Sequence, residues 1–337
     1  MSQLPLIRLL TTGGTIATTY DDERDISRPS VSPDELKTLV GHDLQIEASE
    51  LLRTASWSLS PEQMSDIAHA ASEATQRPDV TGVVVTHGTS TLEYTAFLTD
   101  LVVESPVPVV FTGAMRRADD PHADGPANLR DAVVAAAAPE TRGWGAVVCF
   151  AGQLLSARGA WKRHRTAVNA FEDTEGPLAD VEEGKILVRR RPAPTGRSLA
   201  GRMVPGVALV KAYPGASGTV VEALVASGAP GLVIEALPGI GGVPPDMQPA
   251  IREASLRVPV VMASRAPVGR VPDPPTGGTG EPLRDAPLIS AGDLTAEKAW
   301  VLLSLALWGA RDVAAVRRIF QEMTGSPAEE DDRHEGR

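Results

Sequence analysis

Hydroxyl residues and glycines cluster at three places in the sequence, each directly after a short apolar run. The clusters are Thr12-Gly13-Gly14-Thr15, Thr86-His87-Gly88-Thr89-Ser90-Thr91 and Thr112-Gly113-Ala114-Met115-Arg116. Glycine has no Cβ, so the backbone can turn with a positive φ and approach a ligand closely. Because ligands bind outside the carboxyl ends of strands in open parallel sheets, we expect the three clusters to form one pocket.

Phosphate and metal sites are the first alternatives for such a pocket. The sequence has no G-x-G-x-x-G after a strand and no G-x-x-x-x-G-K-[ST], so its glycines lack the spacing of a phosphate loop. The six histidines never pair at i, i+3 or i+4, and a single cysteine cannot form a Cys pair. We therefore expect no metal site and no cofactor.

A threonine hydroxyl acting as a nucleophile is the chemistry that is left. A hydroxyl is a weak nucleophile at neutral pH and needs an adjacent base. The serine-hydrolase pattern G-x-S-x-G is absent. A lysine made neutral by burial can serve as the base. Lys162 is a candidate, although a lysine taken alone is more often a solvated charge.

The elements that must position these residues are buried strands alternating with helices. Continuous apolar runs, typical of parallel strands covered on both faces, occur at 7–10, 83–86, 107–111 and 146–150. Ser32-Pro33-Asp34-Glu35 and Ser60-Pro61-Glu62-Gln63 have the pattern of a capping box with proline at the first helical position. We predict an α/β fold with two three-layer α/β domains, the larger N-terminal one containing a mostly parallel sheet.

A basic, proline-rich stretch interrupts this pattern and divides the chain. We predict an N-terminal α/β domain carrying the site over 1–188, a linker over 189–205, a C-terminal α/β domain over 206–325 and a disordered acidic tail over 326–337. Strands resume at 207–210, 232–235 and 258–263, a glycine-rich loop follows at 270–285, and a final apolar helix begins at about Thr295.

Charge and composition favour a small-molecule substrate. The formal net charge of −11 argues against a nucleic-acid or anionic-membrane partner, because either requires a basic surface. Cys149 lies in an apolar run and is predicted to be a buried core residue. Neither a signal peptide nor a window of ~18 apolar residues occurs, so we expect a cytoplasmic protein.

Taken in order, the motifs resemble those of the bacterial-type L-asparaginase family. The resemblance rests on 12–17 (TGGTIA), on 86–89 (THGT) continuing into 91–93 (TLE), and on 113–116 (GAMR) followed by 123–129 (ADGPANL). It extends to 293–299 and so covers most of the chain. It implies the asparaginase/glutaminase fold with a flavodoxin-like second domain. It also implies a homotetramer, a dimer of dimers in which a neighbour's smaller domain completes each active site.

The resemblance implies hydrolysis of a side-chain amide, L-asparagine to L-aspartate and ammonia, through an acyl-enzyme. Thr15 would be the nucleophile, and Thr89 and Lys162 would form the second catalytic set. Backbone N–H groups near Thr89 and Ala114 would bind the oxyanion, each donor contributing ~3 kcal/mol. The implied substrate-binding positions are Ser56, Trp57, Gly88, Ser90 and Ala114. Of these, Ser56 matches the position that holds the substrate's α-carboxylate.

Three positions depart from the family pattern. Ser90 stands where the family has an aspartate that pairs with the lysine and binds the substrate's α-ammonium; a charge-assisted contact of this kind contributes ~1.5–3 kcal/mol. Trp57 stands where many members have a glutamine that touches the amino acid. The tyrosine that usually follows the first motif has no clear match, because Tyr20 is too early and Ile26 or Arg28 falls near its place.

Three functions are therefore open at this point. The first is an L-asparaginase in which an acid from a neighbouring chain, such as Glu281, compensates for Ser90. The second is an amidase of the same mechanism acting on a different small amide. The third is a catalytically silent ligand-binding homologue, which the joint presence of Thr15, Thr89 and Lys162 disfavours.

Overall fold

The computed structural model describes residues 5–22, 24–40, 44–193, 198–239, 241–275, 283 and 285–325. The chain divides into two compact units, the first ending at Ser198 and the second beginning at Leu199. Each unit contains helices and a sheet, and both sheets are wholly or mostly parallel over the described residues. The predicted α/β fold class is confirmed.

The first unit is built on an eight-stranded sheet among its described residues. Its strands are β1 (Leu6–Gly13), β2 (Thr18–Asp21), β3 (Ile26–Pro29), β4 (Gln45–Thr54), β5 (Val80–Thr86), β6 (Val109–Thr112), β7 (Ala146–Phe150), β8 (Gln153–Ser156), β9 (Ala160–Lys162), β10 (Phe171–Asp173), β11 (Ala179–Glu182) and β12 (Lys185–Val188). Its helices are α1 (Pro33–Thr38), α2 (Pro61–Thr75), α3 (Leu92–Val102) and α4 (Gly125–Ala137). The main sheet has the order β12-β11-β8-β7-β6-β5-β1-β4 and is parallel from β7 to β4. Two ribbons, β2 with β3 and β9 with β10, stand apart from it.

Apolar side chains point alternately to the two faces of the central strands, so both faces of this sheet are buried. Val84 packs in a cluster with Leu129 of α4 on one face. The next residue along, Val85, packs in a second cluster with Ile67 of α2 and Leu92 of α3 on the other face. Successive side chains of a strand point to opposite faces, so a continuous apolar run becomes two hydrophobic clusters and a three-layer unit.

Strand β4 was not predicted, and its place in the sheet explains why. Among the strands that the structure describes, it lies at the edge of the main sheet and pairs only with β1. Ile46 is buried, while Glu47 and Glu50 are exposed and the Arg53 guanidinium lies 2.7 Å from the Glu50 carboxylate. Edge strands tolerate charged side chains because one side faces water. The apolar run that marks the central strands is therefore missing from β4.

The two predicted capping boxes are confirmed. Ser32 Oγ accepts a hydrogen bond from the Glu35 backbone N–H at 3.2 Å, and the Glu35 carboxylate accepts from the Ser32 backbone N–H at 2.7 Å. Ser60 and Gln63 form the same reciprocal pair at the start of α2. These bonds satisfy helix N–H groups that have no partner inside the helix.

The second unit contains a four-stranded parallel sheet among its described residues. Its strands, in sheet order, are β13 (Ala208–Lys211), β14 (Leu232–Ala236), β15 (Val260–Ser264) and β16 (Ile289–Thr295). Its helices are α5 (Thr219–Ala226), α6 (Gln248–Ser255), α7 (Ala296–Gly309) and α8 (Val313–Thr324). Helix α7 is the predicted apolar helix and packs against all four strands. The prediction that it is the final helix is wrong, because the amphipathic α8 follows it with Asp312 as its N-cap.

The predicted linker begins with Arg189 and Arg190, but both are anchored in the first unit. Their backbone N–H groups donate to the Leu178 carbonyl at 2.8 and 3.1 Å. Arg190 Nη2 also lies 2.9 Å from Asp173 Oδ1, whose side chain is fully buried and needs a charged partner. Residues 194–197, residues 276–282 and 284 of the predicted loop, and the predicted acidic tail lie outside the described residues. Among the described helices, none has the length and apolar character needed to cross a membrane.

Candidate active site

The first glycine pair turns the chain at the carboxyl end of β1. Gly13 and Gly14 have φ angles of 91° and 81°, a region that disfavours side chains. A Cβ built on Gly14 would lie 2.6 Å from the Cα and the backbone N of Gly88. Glycine is required at Gly14 for both reasons, and the backbone of the first motif contacts that of the second. Thr15 follows as the half-buried first residue of a short 3-10 turn, Thr15–Ala17.

The second motif follows β5 and is held against its neighbours by hydrogen bonds. The His87 backbone N–H donates to the Thr112 carbonyl at 2.8 Å, and Thr91 Oγ1 donates to the Ser56 carbonyl at 3.0 Å. A Cβ on Gly88 would lie 2.6 Å from Ser56 Oγ. The short 3-10 turn Ser56–Ser58, which follows β4, therefore packs directly on this motif.

The third motif closes the group of turns. A Cβ on Gly113 would lie 2.5 Å from the His87 carbonyl oxygen, and one on Gly125 would lie 2.9 Å from Ile16 Cγ1. Ala114, between them in sequence, is fully buried. The predicted convergence of the three clusters at one edge of the sheet is confirmed.

Lys162 reaches this edge from the separate ribbon of β9 and β10. Its Nζ donates to Thr89 Oγ1 at 2.7 Å, and Thr89 is only 7% exposed. Burial lowers the pKa of Lys162, while the negative charge of Glu93 acts in the opposite direction. A lysine that becomes neutral at this distance can accept the hydroxyl proton of Thr89.

The ribbon that carries Lys162 is fixed by a buried carboxylate. Asp173 Oδ2 accepts hydrogen bonds from the backbone N–H and the hydroxyl of Ser156, both at 2.7 Å. Its Oδ1 accepts from Arg190 at 2.9 Å. Because Phe171, at the other end of β10, lies opposite Lys162 in the ladder, anchoring β10 also fixes the lysine's backbone.

The implied substrate-binding positions differ in exposure. Ser56 is buried, whereas Trp57 is 76% exposed and Ser90 is also exposed. Tyr20, on the ribbon of β2 and β3, donates its hydroxyl to the Asp25 carboxylate. Contact of Ser56, Trp57 or Ser90 with a substrate stays a prediction.

Two side chains that were given no role in the sequence analysis hold the third turn. The Asp124 carboxylate accepts hydrogen bonds from the backbone N–H groups of Met115 and Arg116, each at 2.9 Å. Asn128 Nδ2 donates to the Gly113 carbonyl at 3.0 Å. Both belong to the stretch 123–129 that supports the family resemblance. The sequence therefore marked these residues as part of the family pattern, but it did not show that they hold the third turn.

His87 is a third residue whose structural role the sequence analysis did not identify. It is fully buried, and its Nδ1 lies 2.8 Å from the Gly88 carbonyl oxygen, which can only accept a proton. Burial lowers its pKa to about 4, so the ring is neutral at pH 7 with the proton on Nδ1. Because a peptide group is planar, fixing the Gly88 carbonyl also fixes the Thr89 N–H, one of the proposed oxyanion donors.

Thiol and metal chemistry find no support in the part of the chain that is described. Cys149 is buried on β7, and burial raises the pKa of its thiol well above the ordinary value. No group of three or more His, Cys, Asp or Glu residues among the described ones is arranged to hold a metal ion. What the geometry does bring together is Lys162 with the Thr89 hydroxyl, and the Thr89 motif with the turn that leads to Thr15.

Comparison with protein families agrees with this arrangement of motifs. Residues 6–194 match the family model "Asparaginase, N-terminal", and residues 206–320 match "Glutaminase/Asparaginase C-terminal domain". The chain belongs to the asparaginase family. The N-terminal match includes all the converging turns and the ribbon that carries Lys162.

Relatives of the chain include curated and structurally characterised asparaginases. A probable L-asparaginase of Deinococcus radiodurans is 35% identical over 328 residues, which are 95% of this chain and 98% of the relative. A glutaminase-asparaginase of Pseudomonas fluorescens biotype A is 29% identical over 95% of this chain and 91% of its own. The crystal structure of a probable cytoplasmic L-asparaginase from Campylobacter jejuni has a TM-score of 0.80 and 29% identity, covering 94% of this chain and 99% of that chain. The expectation of an asparaginase-type enzyme, a hydrolase acting on amides, is confirmed.

Proposed function

We propose that this asparaginase-family enzyme hydrolyses L-asparagine to L-aspartate and ammonia through an acyl-enzyme on Thr15. The observation that carries the proposal is the 2.7 Å contact between Lys162 Nζ and Thr89 Oγ1. The Thr89 motif in turn packs against the turn that leads to Thr15, through the contact of Gly14 with Gly88. Two hydroxyls and a partly buried amine at one edge of a sheet are the parts that acyl transfer needs.

The reaction has two steps with different demands. In the first, Thr15 Oγ1 bonds to the amide carbonyl carbon, the C–N bond breaks, and the proton lost by Thr15 leaves with the nitrogen as ammonia. In the second, water attacks the ester, and the neutral amine of Lys162 receives a proton through the Thr89 hydroxyl while Thr15 regains its own. Backbone N–H groups of Thr89 and Ala114 stabilise the oxyanion in both steps, at ~3 kcal/mol per donor.

Ammonia release from L-asparagine tests the nucleophile. Thr15→Ala should lower kcat by at least about 1,000-fold, because the residual rate comes from binding and the oxyanion donors alone. Thr38→Ala, an exposed threonine of α1, is the matched control and should keep the wild-type rate. Hydroxylamine should trap the acyl group as a hydroxamate in the wild type and not in Thr15→Ala. An unchanged rate in Thr15→Ala would contradict the assignment.

A second candidate is an amidase of the same mechanism that acts on a different small amide. It is favoured by Ser90, which offers no negative charge to an α-ammonium, and by the apolar, 76% exposed Trp57. Succinamic acid, which is L-asparagine without the amino group, separates the two candidates. The second candidate predicts kcat/KM for succinamic acid at or above that for L-asparagine. It also predicts that Ser90→Asp raises kcat/KM for L-asparagine tenfold or more.

A silent ligand-binding homologue is the third outcome of the same assays. It requires that no amide in a panel releases ammonia although one of them stabilises the protein against heat. A protein that only binds its ligand does not need an amine positioned to accept the Thr89 proton, so the silent homologue ranks third among the three functions.

The proposed assembly is a homotetramer, a dimer of dimers in which each site is completed by a neighbour's smaller domain. Light scattering coupled to size exclusion measures the mass directly, and activity that falls on dilution together with the mass would support shared sites. The location that we propose is the cytoplasm, supported by the name of the Campylobacter jejuni neighbour. Fractionation of the producing cells tests it.

A further inference from the structure

Glu93 lies in the first turn of α3 and touches the element that carries the lysine. Its carboxylate accepts a hydrogen bond from the backbone N–H of Lys162. The same lysine extends its amine to Thr89 at 2.7 Å. Glu93 follows Thr89 by four residues, so the helix that begins after the second motif is tied back to the residue that contacts the motif.

We infer that Glu93 is the positioning residue of the site: it holds the backbone of Lys162 so that the amine meets Thr89, and it supplies the negative charge beside that amine. The inference deepens the function proposed above and rests on it. Glu93 is not placed in contact with the substrate; it acts through Lys162.

Ser90 is the reason that the charge must come from Glu93. The residue directly after Thr89 is an uncharged serine, so the motif itself brings no carboxylate to the lysine. Burial alone lowers the pKa of Lys162, and Glu93 is the charge that opposes this effect. The balance of the two sets the fraction of Lys162 that is neutral, and hence able to accept a proton, at a given pH.

The other charged groups around β9 are engaged elsewhere. The elements packed against β9 include its ribbon partner β10 and helix α3. From β10, Glu172 pairs with Arg163, and Asp173 pairs with Arg190 at 2.9 Å. From α3, Glu93 bonds to Lys162, and Asp100 accepts the Ala146 N–H at 2.9 Å. Glu172 is therefore a suitable control, because it is a carboxylate beside the same strand with a different cationic partner.

The test measures the pKa of Lys162 directly. Competitive acetylation of the protein across a pH series, read by peptide mass spectrometry, reports the neutral fraction of Lys162 without any substrate. Glu93→Gln keeps an oxygen for the Lys162 N–H but removes the charge, so the pKa of Lys162 should fall. Glu172→Gln should leave it unchanged. Equal pKa values in the wild type and Glu93→Gln would overturn the inference.

Kinetics supply the second readout. If neutral Lys162 accepts the proton, the rising limb of the kcat–pH profile should move to lower pH in Glu93→Gln by the same shift, with KM little changed. Adding Ser90→Asp to Glu93→Gln should return the limb toward its original pH, because a carboxylate is restored beside Thr89. If Glu93→Gln only destabilises the fold, it will lower the melting temperature and the rate without shifting the rising limb of the kcat–pH profile. That result would contradict the positioning role of Glu93.

The two proposals fail separately. A wild type that releases ammonia from no amide, together with the expected pKa shift, would refute the function and leave the Lys162–Glu93 coupling. If the enzyme is active but the pKa of Lys162 is the same in the wild type and in Glu93→Gln, the proposed function stands and the coupling is refuted.

Discussion

Thr15 and Thr89 both follow a glycine at the carboxyl end of a parallel strand, but the chain around them is held differently. Around Thr89, Lys162 donates to the hydroxyl and the His87 ring donates to the Gly88 carbonyl. Thr89 is buried, whereas Thr15 is half-buried and leads into the ribbon of β2 and β3, in which Ile26, Ser27 and Arg28 are exposed. One hydroxyl is clamped by side chains, and the other lies on a turn set by glycine packing.

In the mechanism proposed above, this difference fits different tasks for the two similar sequences, with Thr15 as the attacking hydroxyl and Lys162 at Thr89 as the proton acceptor. The proton acceptor must be aligned before the substrate arrives, because its orientation is part of the barrier that the enzyme lowers. The attacking oxygen must face the space that the substrate enters. Resemblance between the two Gly-Thr motifs therefore does not imply equal roles, and substitutions around each should have different signatures.

The largest expected effect is the loss of the amine at the Thr89 turn. Lys162→Met should lower kcat by roughly 10²–10⁴-fold, the usual contribution of a positioned base, while KM changes little. Lys185→Met, at an exposed lysine of β12, is the matched control and should retain full activity. Steady-state ammonia release measures both. A Lys162→Met enzyme within a factor of ten of the wild type would mean that the two turns do not differ as described.

The contact between the two turns predicts the next effect. Gly14→Ala forces a Cβ to within 2.6 Å of the Gly88 backbone at a φ of 81°, so the free energy of unfolding should fall by about 2–5 kcal/mol. Gly143→Ala has almost the same φ, 79°, but nothing within 4 Å of the added Cβ, and should cost about 1–2 kcal/mol. Urea unfolding compares the two. Equal losses would show that crowding between the turns is unimportant.

The smallest expected effect is the pH dependence of the free energy of unfolding that comes from His87, in the same motif as Thr89. The folded-state pKa of His87 is about 4, below the ordinary value of 6.5, so the unfolded chain binds the proton first as the pH falls. The contribution of His87 to the free energy of unfolding is fully present above about pH 6.5, and it falls by about 3 kcal/mol by pH 4. His87→Asn removes this slope, whereas His122→Asn, an exposed histidine, should keep it. Urea unfolding at pH 7.5 and 4.5 measures the slopes, and identical ones in wild type and His87→Asn would refute the prediction.

Sequence patterns predicted the central strands because each is covered on both faces and so reads as an uninterrupted apolar run. They also predicted the starts of α1 and α2, where local hydrogen bonds decide the structure. Strand β4 was missed because its edge position admits charges, and α8 was missed beyond the apolar α7. For β4 the tertiary environment, which the local sequence does not contain, decides which residues are tolerated. Helix α8 differs, because its Asp312 N-cap, its amphipathic pattern and the Gly325 at its C-cap are signals that the local sequence does contain.

The candidate site also has features that the sequence patterns predicted and features that they did not. Three glycine–hydroxyl clusters at strand ends predicted the convergence, because parallel strands share one edge. The approach of Lys162 to Thr89 could be expected only from the family resemblance, since Lys162 lies 73 positions after Thr89 and on a strand of only three residues. Glu93 and His87 gave no separate signal, because a carboxylate in a first helical turn and a histidine after an apolar strand are common features.

The buried Asp173 has a consequence for the order in which the enzyme becomes complete during synthesis. Thr15 and Thr89 emerge early, and β1, β5 and β6 can pair once residue 112 has left the ribosome, since N-terminal segments fold first. The ribbon that presents Lys162 depends on a carboxylate whose cationic partner is Arg190. A nascent chain therefore carries both hydroxyls while about a hundred further residues, from Thr89 to Arg190, are synthesised, before it can hold the amine beside one of them.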